Sequence, residues 1–369
     1  MSSILVYAPF NQHARDVESL IVAFHRQGHR VLFLSQLEGH PMNDFLRERG
    51  VAAYSHVVTG ERTGWWYYLR HLFFFIFFCW KHRIEIVYSH LEPCNLVASV
   101  GQYFILARTF LCRHHMDEGK LLKFDRNLHY RMTYRLAKKI IVVSEQTRRY
   151  MIEKEHIRGA KIIHINLAYD FDLYSRPDES RVQSIRSEYH ADILLLAAGR
   201  FTTAKRPEAV VHLVAKLKSL GLDVKLILLG QGDLFEEIKL LIAEKGLQMN
   251  VFMPGYVGNM LEFMKASDFF IHPSVSESSS VVIKEAGLAK LPAIVCQGVG
   301  DFNDYIVNGE NGFLVEPDFF VEEAAGIIRQ NFMNRAILLE MGANLKKSIL
   351  NRFSIESVIG QYDELNKRS

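Results

Sequence analysis

The chain has 369 residues, of which 49% are hydrophobic, 23% charged and 12% aromatic, and at that length two domains are expected because single cores stop growing near ~250–300 residues. Nine Pro and 23 Gly exclude a disordered, collagen-like or linker-dominated chain. The balance of 44 Lys+Arg against 41 Asp+Glu, a net of +3, excludes a dedicated nucleic-acid binder.

The N-terminus, Met1-Ser-Ser-Ile-Leu-Val-Tyr-Ala-Pro9, lacks the basic start of a signal peptide and reads as a strand over Ile4–Ala8. Asp16–Gln27 follows with Val17, Leu20, Ile21 and Phe24 on one helical face. Gly28 closes that helix, and Arg30–Leu34 begins the next strand. The segment Gly64–Lys81 departs from globular expectation, because Leu72–Trp80 are nine apolar residues without interruption. As a helix they turn through about 900° and leave no polar stripe. Nine residues are too few to span a bilayer, which takes roughly 20. Two readings stay open. Either the helix is fully buried between two layers, or its outer face dips into a membrane interface through residues 65–83, helped by Arg70, Lys81, His82 and Arg83.

Strand signals recur at Ile84–Tyr88, Leu136–Val143 and Lys161–Ile165. Such strand–helix alternation implies a parallel sheet covered by helices on both faces. Up to Tyr169 the chain carries 23 Lys+Arg against 14 Asp+Glu, net +9, and the remainder carries 21 against 27, net −6. The halves are therefore expected to meet different partners. The polar stretch Tyr169–His190 marks a domain boundary, giving domains over 1–175 and 176–352. A second series then runs through Leu194–Ala198, Val224–Leu229, Val251–Met253, Phe269–His272 and Ala293–Cys296. The expected architecture is α/β, with two Rossmann-like domains facing a central cleft and ligands beyond the carboxyl ends of the strands. Cys79, Cys94, Cys112 and Cys296 show no CxxC spacing and read as buried thiols of a reducing cytoplasm.

Two clusters carry chemistry. At Leu195-Leu-Ala-Ala-Gly199-Arg200-Phe-Thr-Thr-Ala-Lys205, a strand ends on a glycine and two cations follow on the loop. Such a pair can neutralise a diphosphate, each charge-assisted bond contributing about 1.5–3 kcal/mol; an ordinary solvated loop is the alternative. At Phe269-Phe-Ile-His-Pro273-Ser-Val-Ser-Glu277-Ser-Ser-Ser280-Val281, a strand is followed by a polar loop and a helix start. Ser278, Ser279 and Ser280 suit N-cap positions, and the free amides behind them suit an anion. Glu277 and Glu285 stand on either side of that helix start, where carboxylates can accept from sugar hydroxyls. A phosphate cradle with two hydroxyl acceptors describes a nucleotide-sugar site.

Gly199-Arg200 with Lys205, Glu277-x7-Glu285 and Val307-Asn-Gly309-Glu-Asn-Gly312 resemble the retaining GT-B glycosyltransferases of family 4. Gly28-His29-Arg30-Val31, the strand ending at Ser144, Gly230-Gln-Gly232 and Gly255-Tyr256 extend the resemblance along most of the chain. It implies a GT-B fold in which the last helix, within 353–369, packs back on the first domain. Arg200 and Lys205 would hold the donor diphosphate, with Gly199 allowing close approach. Ser279, Ser280 and Val281 would complete the phosphate cradle through their amides, Glu285 would bind ribose hydroxyls, and Glu277 would touch the transferred sugar. His115, or His114 in its place, would stand near that sugar, and His90 would support the site or be structural. No metal or other cofactor is expected, the donor being a UDP- or GDP-linked sugar. The implied activity is transfer to a saccharide acceptor, lipid-linked given the basic, aromatic first half, in cell-surface polysaccharide or lipopolysaccharide synthesis at the inner face of the membrane. The alternatives are a phosphorylase, a nucleotide-sugar epimerase, or a catalytically silent sugar-binding subunit.

Overall fold

The structure is a computed structural model that describes residues 1–9, 12–38, 41–59, 64–115 and 132–367. It divides into two compact units, Met1–Leu173 with Phe353–Ser369, and Tyr174–Arg352.

Unit 1 runs β1 (Ser3–Ala8), α1 (Arg15–Arg26), β2 (Arg30–Ser35), α2 (Pro41–Arg47), β3 (Ala52–Ser55), α3 (Trp65–Lys81), β4 (Ile86–His90), α4 (Cys94–Gly101), β5 (Arg108–Arg113), β6 (Lys139–Val142), α5 (Glu145–Glu153) and β7 (Ile162–His164). The strands form one parallel sheet in the order β3-β2-β1-β4-β5-β6-β7. All six residues of β1 and all five of β4 are buried, because helices cover both faces of the sheet. Each face has its own apolar core, one on α1 with Leu20, Ile21 and Phe24, the other on α3 with Phe75, Phe78 and Cys79. The strand expected over Leu136–Val143 is shorter at its start. Residues 132–136 are helical, and β6 begins only at Lys139.

The fully buried reading of α3 is not what the helix does. Tyr67, His71, Phe75, Phe78 and Cys79 face the core, whereas Trp66, Phe73, Phe77 and Trp80 are 63%, 68%, 59% and 64% exposed. An apolar helix carries no periodicity to tell its two faces apart, so the sequence alone left that question open.

Unit 2 runs α6 (Glu179–Glu188), β8 (Ile193–Ala198), α7 (Pro207–Ser219), β9 (Val224–Leu229), α8 (Phe235–Glu244), β10 (Val251–Gly255), α9 (Met260–Ala266), β11 (Phe269–His272), α10 (Val281–Leu288), β12 (Ala293–Cys296), α11 (Phe302–Tyr305), β13 (Phe313–Val315), α12 (Phe320–Asn331) and α13 (Arg335–Phe353). Its strands are parallel in the order β10-β9-β8-β11-β12-β13. Both sheets thus reverse strand order once, between β1 and β4 and between β8 and β11, the positions at which open α/β sheets bind ligands.

The chain then returns to unit 1 as α14 (Ile355–Lys367). Tyr362 packs edge-on against Phe24 of α1, with ring centroids 5.8 Å apart. Tyr88 donates its hydroxyl to Asn366 at 2.8 Å, and Arg108 donates to the Leu365 carbonyl at 2.9 Å.

Candidate active site

In unit 2 the switch point lies where β8 ends at Ala198 and β11 ends at His272. Gly199, Arg200 and Lys205 from the first strand's loop line one concavity with His272 and Pro273 from the second. Arg200 is exposed at its edge. The Gly230 turn presses against this loop from β9. A Cβ at Gly230, whose φ is +124°, would lie 2.0 Å from the Gly199 carbonyl oxygen, so only glycine fits.

Glu277 is the electrostatic centre of the cluster. Its Oε1 accepts from Lys205 Nζ, and from His272 Nε2 at 2.7 Å. A carboxylate can only accept, which assigns the proton of His272 to Nε2. Burial by itself would raise the Glu277 carboxyl, but the His272 hydrogen bond and charge and the Lys205 ammonium outweigh it and hold the group at about 2. Glu277 is therefore an anion at any physiological pH. The family resemblance gives Lys205 to phosphate and Glu277 to sugar separately; the structure joins them in one ion pair. It also adds His272, which closes the apolar strand β11. Its signal is positional: a histidine closing a strand at the switch point, directly before Pro273.

A second network holds the loop that follows. Lys284 Nζ, fully buried on α10, donates to Asp301 Oδ2 at 2.6 Å and to Ser279 Oγ at 2.9 Å, and Ser279 Oγ donates to Asp301 Oδ2 at 2.6 Å. Burial lowers the Lys284 ammonium, and the Asp301 carboxylate works against that shift. Gly300, with φ +59°, lets the turn before Asp301 approach the site; a Cβ there would lie 2.9 Å from Glu277 Cβ. Ser280 occupies the N-cap position of α10 without a side-chain capping bond, and Val281, exposed, begins the helix. Ser279 therefore serves the Lys284–Asp301 pair rather than a cap. Glu285 lies in the second turn of α10, half-buried.

In unit 1 the switch point holds a histidine chain. His114 Nδ1 lies 3.5 Å from Asp16 Oδ2, and His114 Nε2 lies 2.8 Å from His90 Nδ1. With the carboxylate as acceptor, His114 carries its proton on Nδ1 and accepts from His90 Nδ1–H. His90 Nε2 is then a bare acceptor, buried and without a partner among the described residues. Burial pushes the His90 imidazole well below its ordinary value, and His114 beside it pushes the same way. Burial also lowers His114, against the pull of Asp16. His115, first choice for the sugar-facing histidine, is exposed, and its carbonyl accepts from Arg113 Nε at 2.8 Å. Of the two candidates, His114 is the one brought together with His90 and Asp16.

The family model of the Glycosyltransferase Family 4 matches residues 14–173, and that of Glycosyl transferases group 1 matches residues 179–348. N-acetyl-alpha-D-glucosaminyl L-malate synthase of Bacillus anthracis is 25% identical over 207 residues, 54% of this chain and 53% of its own length. UDP-Gal:alpha-D-GlcNAc-diphosphoundecaprenol alpha-1,3-galactosyltransferase of Escherichia coli is 26% identical over 303 residues, 77% of this chain and 76% of its own. The first curated relatives are matched over about half their length or less. Among solved structures, Anabaena HepE in complex with UDP-glucose superposes with a TM-score of 0.82 at 17% identity, covering 99% of both chains. That similarity shows a shared fold.

Proposed function

Because the chain belongs to the family 4, group 1 glycosyltransferases, we propose that it transfers a sugar, with retention of configuration, from a UDP- or GDP-linked donor to a lipid-linked saccharide in cell-surface polysaccharide synthesis. The observation that carries this reading is the gathering of Arg200, Lys205, His272 and Glu277 at the carboxyl ends of β8 and β11. Two cations and one fixed anion at a switch point match a diphosphate joined to a polyhydroxyl ring. The UDP-glucose of HepE and the diphosphoundecaprenol acceptor in the Escherichia coli relative's name favour the same donor and acceptor classes.

On this reading Lys205 exchanges its ion pair with Glu277 for the donor diphosphate. Arg200 and the amides leading into α10, from Ser279 to Val281, take the remaining phosphate oxygens. Glu277, kept in place by His272, is then free to accept from a hydroxyl of the transferred sugar, and Glu285 accepts from the ribose. The departing diphosphate takes the proton of the attacking hydroxyl on the same face of the sugar. The protein contributes position and charge stabilisation, with no bound metal required. The acceptor is met at the cytoplasmic face of the membrane.

Calorimetric titration of the whole chain with UDP, GDP and their sugars tests the donor class, and proton NMR of the product anomer tests retention. Failure of every nucleoside diphosphate to bind above millimolar affinity would sink the donor assignment. An inverted anomer would sink the stereochemical one.

A further inference from the structure

We propose that the outward face of α3 and the turn Tyr103–Leu106 form one surface that seats unit 1 in the headgroup region of an anionic bilayer. At about 100° per residue, Trp66, Phe73, Phe77 and Trp80 fall within roughly 60° of one line along the helix. All four are more than half exposed, and so are Tyr103 (56%), Phe104 (58%) and Leu106 (103%) on the neighbouring turn. The two elements are joined: Trp80 Nε1 donates to the Phe104 carbonyl at 3.1 Å. This bond satisfies the indole polar group and leaves its ring outward. Contiguous exposed apolar surface of this kind marks an interaction site.

Charge selects the occupant. Residues 65–84, 103–113 and 132–144 contain no Asp or Glu. Arg70, Lys81, Arg83, Arg135, Lys138 and Lys139 are exposed on the segments that carry the aromatic patch or are bonded to it. Two of them lie against its rings, Lys81 Nζ 5.9 Å from the Phe77 centroid and Lys138 Nζ 5.0 Å from that of Tyr103. Tyr103 in turn donates its hydroxyl to the Leu136 carbonyl at 2.8 Å, linking the patch to the basic segment at 135–139. A second copy of the chain docked isologously would set these cations against their own kind. An anionic leaflet complements them, and aromatic rings between water and acyl chain are at their preferred depth. No described helix is long and apolar enough to cross a membrane, so the surface lies on the bilayer rather than in it.

The chain supplies its own probe. It contains three tryptophans, Trp65, Trp66 and Trp80, and all three are in α3. Their emission in the unaltered chain therefore reports this surface. The expected result with vesicles of one-third phosphatidylglycerol is a blue shift, with quenching by lipids brominated near the headgroup and reversal by salt on the scale of a ~10 Å Debye length at 0.1 M. Each cation close to an anionic leaflet multiplies partitioning by about 5, so the triple variant K81S/R83S/K138S is expected to bind about 100-fold more weakly. F73S/F77S, both changes at exposed positions, should lose most binding while keeping the same unfolding midpoint.

Unchanged emission at saturating anionic lipid would overturn the proposal. Equal binding to phosphatidylcholine would overturn the assigned role of the cations. A lipid-free dimer whose formation produces the blue shift, read by analytical ultracentrifugation, would hand the surface to a second copy. The assay contains no nucleotide or acceptor, so its outcome is separate from that of the donor titration.

Discussion

Glu277 receives two donors on one oxygen, and this makes it the residue whose substitution discriminates best. Glu277→Gln removes the anion and releases Lys205 for phosphate. Nucleoside diphosphate should then bind as well as before or up to ~10-fold tighter, while turnover falls by about 100-fold or more, the usual scale for losing one electrostatic group at a reacting centre. A parallel loss in both would mean that Glu277 only holds the fold. Lys205→Ala should instead weaken the nucleotide by about 10- to 100-fold, as expected for a lost charge-assisted contact, and let the Glu277 carboxyl rise from about 2. Lys284 behaves differently because it is fully buried and paired with Asp301. Removing one partner of such a pair costs about 3–5 kcal/mol, so Lys284→Met should lower stability by that order, and a second change of Asp301 to Leu should restore part of it. Chemical denaturation of the three proteins measures this directly. The legibility of these residues differed for a physical reason. Arg200, Lys205 and Glu277 interrupt loops after apolar runs, where charge stands out in a sequence. His272 and Lys284 lie within apolar runs, and what they do depends on contacts 5 and 17 residues away along the chain.

At the scale of elements, the strands of both sheets were readable because burial on two faces leaves near-continuous apolar runs such as Leu194–Ala198. Their order was not, since nothing in β8 itself says that β9 and β11 flank it. The expected α/β class with two parallel sheets is what the fold has. Helix α3 was the opposite case, readable as a helix yet unreadable in orientation. Its inner face also holds His71, which burial, then His56 and Arg70, lowers to about 4. Burial lowers His90 and His114 in the same direction, and His56 and His82 as well. A folded-state value below the unfolded one adds stability above the unfolded value, which is lost as pH falls toward the folded one. The melting temperature should therefore decline between about pH 6.5 and 4, the interval set by His71. His71→Phe should flatten that decline. An unchanged slope in the variant would exclude His71 as a source of acid sensitivity. The Gly230 turn gives an element-level test in unit 2. Gly230→Ala must displace the Gly199 carbonyl, so it should weaken nucleotide binding although neither side chain touches the ligand.

For the whole molecule, the decisive feature is that the chain leaves unit 1 at Leu173 and re-enters it at Phe353. Truncation before Phe353 would expose the α1 core at Phe24 and Tyr88 and remove the α14 partners of Tyr88 and Arg108. The expected result is selective loss of unit 1. Tryptophan emission, which arises from α3 alone, should show early unfolding, while nucleotide still protects unit 2 against proteolysis. Cooperative loss of both signals would show that the units depend on each other for stability. The first crossing falls within the polar stretch Tyr169–His190. The second crossing has no such break, because α13 runs to Phe353 and α14 starts at Ile355.

This double crossing also sets an order of events during synthesis. Domains ordinarily fold as they leave the ribosome, first segment first. Here the segment that seals the α1 core is translated only after all of unit 2. Unit 2 can therefore be complete while the first-made half still shows Phe24 and Tyr88 to solvent. The nascent chain thus carries an unsealed apolar surface for the time needed to translate some 180 residues. A chaperone that follows the elongating chain would find its substrate at the beginning of this protein rather than at its end.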